Sequence, residues 1–118
     1  MNSSLPYFLY YGNEKNPLNV LVDTGSNKNY IHPKFTKLSH NVNKPFTVSS
    51  VGGNIKIEKY SQGKFFKPYS DIVTKFYHML ELKTFDAVIG HDTLKELKAI
   101  IDTSGERIII PHNNIIPL

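Results

Sequence analysis

The chain of 118 residues has no cysteine and no tryptophan. Without cysteine there is no disulfide scaffold, no thiolate metal site and no cysteine nucleophile, which fits a reducing compartment. Neither sign of charge dominates: 14 Lys and Arg stand against 10 Asp and Glu, a net +4, and the basic residues are scattered in pairs such as Lys64 and Lys67. That pattern leaves no nucleic-acid footprint. No apolar run approaches the roughly 20 residues of a membrane helix. The opening stretch MNSSLPYFLYYGNEKN also lacks the basic segment and apolar run of a secretion signal. Asn2-Ser3-Ser4 therefore reads as a chance match to a glycosylation sequon.

What is present is a 40% hydrophobic composition, enough for one modest core, so residues 1–118 read as a single domain. The periodicity is mostly that of strands. Tyr7 to Tyr11 and Leu18 to Val22 flank a turn at Gly12 to Pro17, a hairpin that ends on Asp23. Tyr30-Ile31 before Pro33 predicts a short strand and then an irregular segment. In PFTVSSVGGNIKIEKY, Pro45 to Tyr60, Phe46 and Val48 alternate on one arm and Ile55 and Ile57 on the other. Gly52 and Gly53, with Asn54, would supply the positive φ of a tight turn. Lys64-Phe65-Phe66 and Ile72 to Leu82 read as further strands. His91 to Lys98 reads as helix, with Asp92 as its N-cap and Leu94 and Leu97 on one side. Ala99 to Ile101 and Arg107 to Ile110 flank the turn DTSGE. Many short strands and one short helix give an all-β, barrel-like class.

Most catalytic sets are absent. There is no G-x-S-x-G elbow, and Gly63-Lys64 lacks the glycine spacing of a phosphate-binding loop. The five histidines, at 32, 40, 78, 91 and 112, are too far apart for a compact metal motif, so no metal or cofactor is expected. What remains is Asp23-Thr24-Gly25-Ser26 at the end of the apolar strand NVLV. A carboxylate there is costly unless something solvates or pairs it. The neighbours can do both. Thr24 can fix the loop through its hydroxyl, the Gly25 N–H can approach the carboxylate, and Ser26 adds a small donor. Taken alone, the same string reads first as an Asx-type turn closing a strand.

VLVDTGSNKNYI is joined later by FDAVIGHDTLKELKAIID, and Val88 follows Asp23 by 65 positions. This pair resembles the retropepsins, the retroviral-type aspartic proteases, and most nearly those of gypsy and errantivirus-like LTR retrotransposons. The resemblance covers about residues 5–111. It implies a closed, barrel-like aspartic protease fold with one short C-terminal helix, in which Val88-Ile89-Gly90 packs against the Asp-Thr-Gly loop. The implied activity is peptide hydrolysis by two aspartates sharing one proton, one a base on water and the other an acid to the carbonyl. Only one Asp-Thr-Gly is present. Asp102-Thr103-Ser104-Gly105 lacks glycine at the third position and reads as a turn. Asp86 and Asp92 have no such frame.

The resemblance therefore implies a homodimer in which each copy gives one Asp23, with Leu5 to Leu9 and Ile115 to Leu118 as interface strands. It makes Asp23, Thr24 and Gly25 catalytic, Thr24 through reciprocal hydrogen bonds between the two loops. Val51, Gly52 and Gly53 become the tip of a flap. Leu21, Ser26, Asn27, Lys28, Tyr30 and Val88 join the flap as substrate-binding residues, with Leu21 and Val88 equally readable as plain core. The implied substrate is an extended polypeptide, the element's own Gag-Pol polyprotein, cut in the cytoplasm within virus-like particles. No specific nucleic acid and no membrane is implied. Two positions depart from the retroviral pattern: Asn27 and His91 stand where an Asp–Arg pair is usual, and a neutral Asn–His contact is expected instead. Asp86 is expected near a specificity pocket, where it would disfavour acidic substrate side chains. The other readings are an inactive or domesticated dimerisation module, a retropepsin-like domain of a ubiquitin-shuttle host protein, and a β-barrel binding module.

Overall fold

The computed structural model describes residues 5–9, 18–67, 70–104, 107–110 and 114–117; of 5–9, 107 and 114–117 it describes the backbone alone. The expected turn at Gly12 to Pro17, with Tyr10, Tyr11, His112 and Leu118, lies outside them. The strands in chain order are β1 (Leu5–Leu9), β2 (Leu18–Asp23), β3 (Asn29–Ile31), β4 (His40–Ser50), β5 (Gly53–Gly63), β6 (Thr74–His78) and β7 (Ala87–Gly90). One helical segment, α1 (His91–Glu96), precedes β8 (Ile100–Asp102), β9 (Arg107–Ile110) and β10 (Asn114–Pro117). A 3₁₀ turn at Pro33–Phe35 is the expected irregular segment.

The all-β class with one short helix is as expected. The sheet, however, does not close on itself. Seven strands run in the order β1-β2-β7-β3-β6-β5-β4, and β10-β9-β8 form a separate three-stranded sheet. The first and last strands of the larger sheet, β1 and β4, are not hydrogen-bonded to one another, so the barrel stays open.

Strand β2 shows how the sequence places the site. Its burial alternates: Leu18, Val20 and Val22 face the main core, whereas Asn19, Leu21 and Asp23 take the other face. The period of two thus keeps the carboxylate off the core side. The main core gathers Val20, Val22, Ile31, Ile89, Leu94, Ile108 and three phenylalanines, with the rings of Phe65 and Phe76 4.4 Å apart. Phe65 and Phe66 fill this core from a turn, not from the expected strand; burial of two adjacent rings on one side cannot follow a strand's alternation. The strand expected over Ile72 to Leu82 is confined to β6, and Met79 and Leu82 follow it as a turn closed by Leu82 N–H to the Met79 carbonyl.

The hairpin of β4 and β5 has the expected register, Phe46 opposite Ile57 and Val48 opposite Ile55. Of its tip residues only Gly53 has a positive φ, +120°, so the conformational freedom is needed just after the two-residue turn. Helix α1 also differs at its start. Gly90 is the N-cap, without a side-chain cap, and Asp92 lies in the first turn. Its end is a Schellman cap: Lys98 N–H reaches the Lys95 carbonyl, Ala99 N–H reaches the Leu94 carbonyl, and Lys98 takes φ +54°.

Candidate active site

Asp23 ends β2, where it lies beside Gly90 of β7 in parallel register. The Gly25 N–H donates to Asp23 Oδ1 at 2.9 Å, and the Ser26 N–H donates to the Asp23 carbonyl at 3.2 Å. The loop is therefore an Asx-type turn, and Asp23 and Thr24 are partly buried while Gly25 is exposed. Ser26 Oγ donates to the Lys28 carbonyl at 2.8 Å, and the Ser26 carbonyl accepts the His91 N–H at 2.6 Å. The loop is thus closed on itself and moored to the start of α1.

Gly90 makes that mooring possible. A Cβ there would lie 2.4 Å from the Lys28 carbonyl oxygen and 2.7 Å from that of Ser26. No side chain fits between β7 and the loop. Behind them stands Asn29, only 4% exposed. Its Oδ1 accepts the Gly90 N–H at 2.8 Å, and its Nδ2 donates to the Lys75 carbonyl at 3.1 Å and to Thr93 Oγ1. One amide joins β3 to β7, β6 and α1. Such a buried group, fully paired, fixes one arrangement of its neighbours.

A second apolar cluster lies apart from the main core. Tyr30, Ile57, Met79 and Val88 form its centre, with Leu21, Phe46, Val48, Ile55, Tyr77 and Leu82 packed against it. Three of the expected substrate-binding residues, Leu21, Tyr30 and Val88, are therefore brought together under the inner face of the β4–β5 hairpin. Burial, and secondarily Tyr77, push the Tyr30 phenol above its ordinary value of 10. The hairpin's tip stands away: Val51 is fully exposed at 110%, and Gly52 and Gly53 are exposed too. Ser50 Oγ donates to the Gly53 carbonyl at 2.7 Å and stiffens the turn. Asn27 and Lys28 are exposed, with Lys28 Nζ 4.8 Å from the centre of the Phe46 ring.

Two expectations are corrected here. Asn27 and His91 do not meet within the chain among the described residues; His91 Nδ1 lies 3.5 Å from Asp92 Oδ1 instead, an exposed pair that adds little. The Asp86 carboxylate is taken up by backbone. Its Oδ2 accepts the Asn19 N–H at 2.9 Å, its own N–H donates to the Asn19 carbonyl at 2.8 Å, and its carbonyl accepts the His32 N–H at 2.9 Å. It clamps β2 to the approach of β7. Asp102 is the turn residue expected, its Oδ1 accepting from Ser104 N–H and Oγ.

Sequence reasoning missed Asn29, Thr93 and Lys75. A polar residue in the short run NYI was the available signal, because a strand buried at every position has no polar face to spare. Two cavities, of about 510 and 430 Å³, lie beside the β4–β5 hairpin, and Asp23 lines neither.

Two Drosophila melanogaster proteins are similar in sequence. One is the retrovirus-related Pol polyprotein from transposon opus, 47% identical over 57 residues, or 48% of this chain. The other is the retrovirus-related Pol polyprotein from transposon gypsy, 39% identical over 80 residues, or 67% of this chain. In structure, the retroviral protease-like domain of Ddi1 from Leishmania major matches with a TM-score of 0.57 and 14% identity, covering 99% of this chain and 94% of that one. The chain is a retropepsin-like domain. No family model matches it. This retropepsin-like domain spans 6–7% of the length of the two Pol polyproteins. The likeness to the Ddi1 domain speaks for the fold of the retropepsin-like domain, and the likeness to the Pol polyproteins for its kinship with retrotransposons.

Proposed function

We propose that this retropepsin-like domain is an aspartic endopeptidase of an LTR retrotransposon or endogenous retrovirus that works as a homodimer on the Gag-Pol polyprotein. One observation carries the reading: Asp23 is held at a strand end, off the core face, by the Gly25 N–H on Oδ1. A turn residue has no need of the glycine contact and buried amide that brace it from behind.

One chain supplies one such carboxylate, so Asp23 of a second copy completes the pair across a two-fold axis. Like charges so close cannot both ionise, and the pair holds one proton. The ionised Asp23 takes a proton from a water molecule, which attacks the scissile carbonyl carbon. The protonated Asp23 gives its proton to the carbonyl oxygen, leaving a tetrahedral gem-diol. Collapse breaks the C–N bond, with the amine nitrogen receiving a proton and the carboxyl product leaving. Thr24 ties the two loops to each other. Substrate lies extended between the apolar floor of Leu21, Tyr30 and Val88 and the β4–β5 hairpin. Ser26, Asn27 and Lys28 lie beside its backbone, and Val51, Gly52 and Gly53 close over it. In this reading the work is done in the cytoplasm, within virus-like particles.

The test is cleavage of a purified Gag-Pol fragment at about pH 5–6, where a pair holding one proton persists. The wild-type chain is expected to cut and Asp23→Asn is not. Equal cleavage by both would sink the dyad. Sedimentation should show a dimer, and mixing wild type with excess Asp23→Asn should suppress activity by forming one-sided dimers. A second reading, a protease-like domain of a Ddi1-type protein, is favoured by the fold likeness alone. It predicts no cleavage of the polyprotein fragment.

A further inference from the structure

The pairing of β4 with β5 breaks between Asn41 and Phe46, where β4 advances five residues while β5 runs only from Lys59 to Ile57. A bulge bends its strand and re-aims side chains, often beside an active site. A pocket of about 430 Å³ opens at this break. Among the described residues its charged lining is three lysines, Lys28, Lys44 and Lys75, with no carboxylate.

Two of these lysines are already placed. Lys28 Nζ is 4.8 Å from the Phe46 ring centre, and Lys75 Nζ is 4.3 Å from that of Tyr60 and 6.0 Å from that of Tyr77. The rings hold one another as well: Phe46 and Tyr77 meet edge-on at 5.0 Å, and Tyr60 and Tyr77 at 6.3 Å. Cation–π contacts steady long side chains, so less freedom is lost when they grip an anion. The pocket also adjoins the cleft. Lys28 belongs to the loop carrying Asp23, and Phe46 and Tyr77 pack against the cluster containing Leu21, Tyr30 and Val88.

We propose that this pocket is a subsite for the carboxylate of a glutamate or aspartate in the extended polypeptide, a few residues from the scissile bond, so that the domain prefers substrates acidic at that position. The inference rests on the endopeptidase reading and adds a substrate class to it. A peptide suits the pocket better than nucleic acid does: the rings are engaged by each other and by ammonium groups, so they do not offer a base the open platform that single strands require.

The test uses the full chain carrying Asp23→Asn, which binds without cutting. Its probes are fluorescein-labelled nonapeptides with a fixed central apolar pair and Glu or Gln placed in turn at each flanking position. At one position the Glu peptide is expected to bind about tenfold more tightly than its Gln counterpart, a few-fold for each partly screened ion pair. Lys44→Gln with Lys75→Gln should bring that ratio towards one, and Lys44→Glu with Lys75→Glu should turn the preference to a Lys peptide; a thermal melt verifies that each variant is folded. Equal binding at every position overturns the inference, as does no binding by either peptide. Tighter binding of single-stranded RNA, abolished by the same lysine variants, overturns it too. Cleavage by the wild-type chain is read separately. Peptides bound with preference but never cut refute the endopeptidase and leave the anion subsite standing; peptides cut without preference do the reverse.

Discussion

Gly90→Ala puts one methyl group into the tightest place in the site. The new carbon would stand 2.4 Å from the Lys28 carbonyl oxygen and 2.7 Å from the Ser26 carbonyl oxygen. Even favourable carbon–oxygen contacts rest at about 3.3 Å, so the two carbonyls must recede by roughly 0.9 and 0.6 Å. Both belong to backbone, and both are in use: Lys28 accepts from Ser26 Oγ, and Ser26 accepts from the His91 N–H. Overpacking of this sort costs about 1–3 kcal/mol. Weakening one of those hydrogen bonds adds about 1 kcal/mol. A total near 3 kcal/mol corresponds to a melting point lower by about 10 °C for a chain of this size. The assay is thermal unfolding at one fixed protein concentration, because the melting point of the proposed dimer would depend on concentration. Gly63→Ala is the control, since a Cβ there meets nothing within 4 Å. It should melt at or up to about 4 °C above wild type, as an unstrained Gly→Ala change does. Where the Gly90→Ala chain is still folded, displacement of the Asp23 loop should lower cleavage by about a hundredfold. A Gly90→Ala chain that melts and cleaves like the Gly63→Ala control would refute the claim that β7 positions the loop.

Asn29→Ala strips the partners from the Gly90 N–H, the Lys75 carbonyl and the Thr93 hydroxyl, and should cost about 3 kcal/mol in urea unfolding; a loss under about 1 kcal/mol would show that water replaces the amide. Lys98→Gly relieves a left-handed residue at φ +54° in the cap of α1 and should raise stability by about 1 kcal/mol. Burial, and secondarily Lys59, hold the His78 imidazole below its ordinary 6.5, while Ser61 Oγ lies 2.7 Å from its Nε2. The unfolded chain then takes a proton below about pH 6.5 that the folded chain refuses. Stability should be full above that pH and fall as pH drops towards the folded value. The melting point of His78→Gln should fall less between pH 7 and pH 5, and parallel curves would reject the assignment.

The hairpin register and the Asp23 loop were legible because each rests on local pattern. Val20 and Val22 alternate with Leu21 and Asp23, and Phe46 and Val48 answer Ile57 and Ile55. What escaped depends on contacts remote in sequence. Asn29 meets Gly90 from 61 positions away, and no period announces that. Asp92 looked like a helix cap, but the cap lies two residues earlier, where the chain turns out of β7 at Gly90. Phe65 and Phe66 looked like a strand because consecutive aromatics favour one, yet the main core takes both rings from a turn. The Asp86 carboxylate is spent on the Asn19 backbone, a use that residue type alone does not disclose.

The amide of Asn29 also bears on how such a sequence can change over time. Gly90 and Thr93 each meet the Asn29 amide, one through its N–H and the other through its hydroxyl. Most single steps at these positions leave a buried donor or acceptor stranded or a backbone displaced. Compensation would need two changes at once, on elements far apart in the chain. The exposed tip of the hairpin, Val51 and Gly52, carries no such bond to its fellows. If the proposed function holds, drift is free where the hairpin tip would meet a substrate and nearly closed where the domain holds Asp23, so a lineage could alter its choice of target long before it could rebuild the loop behind it.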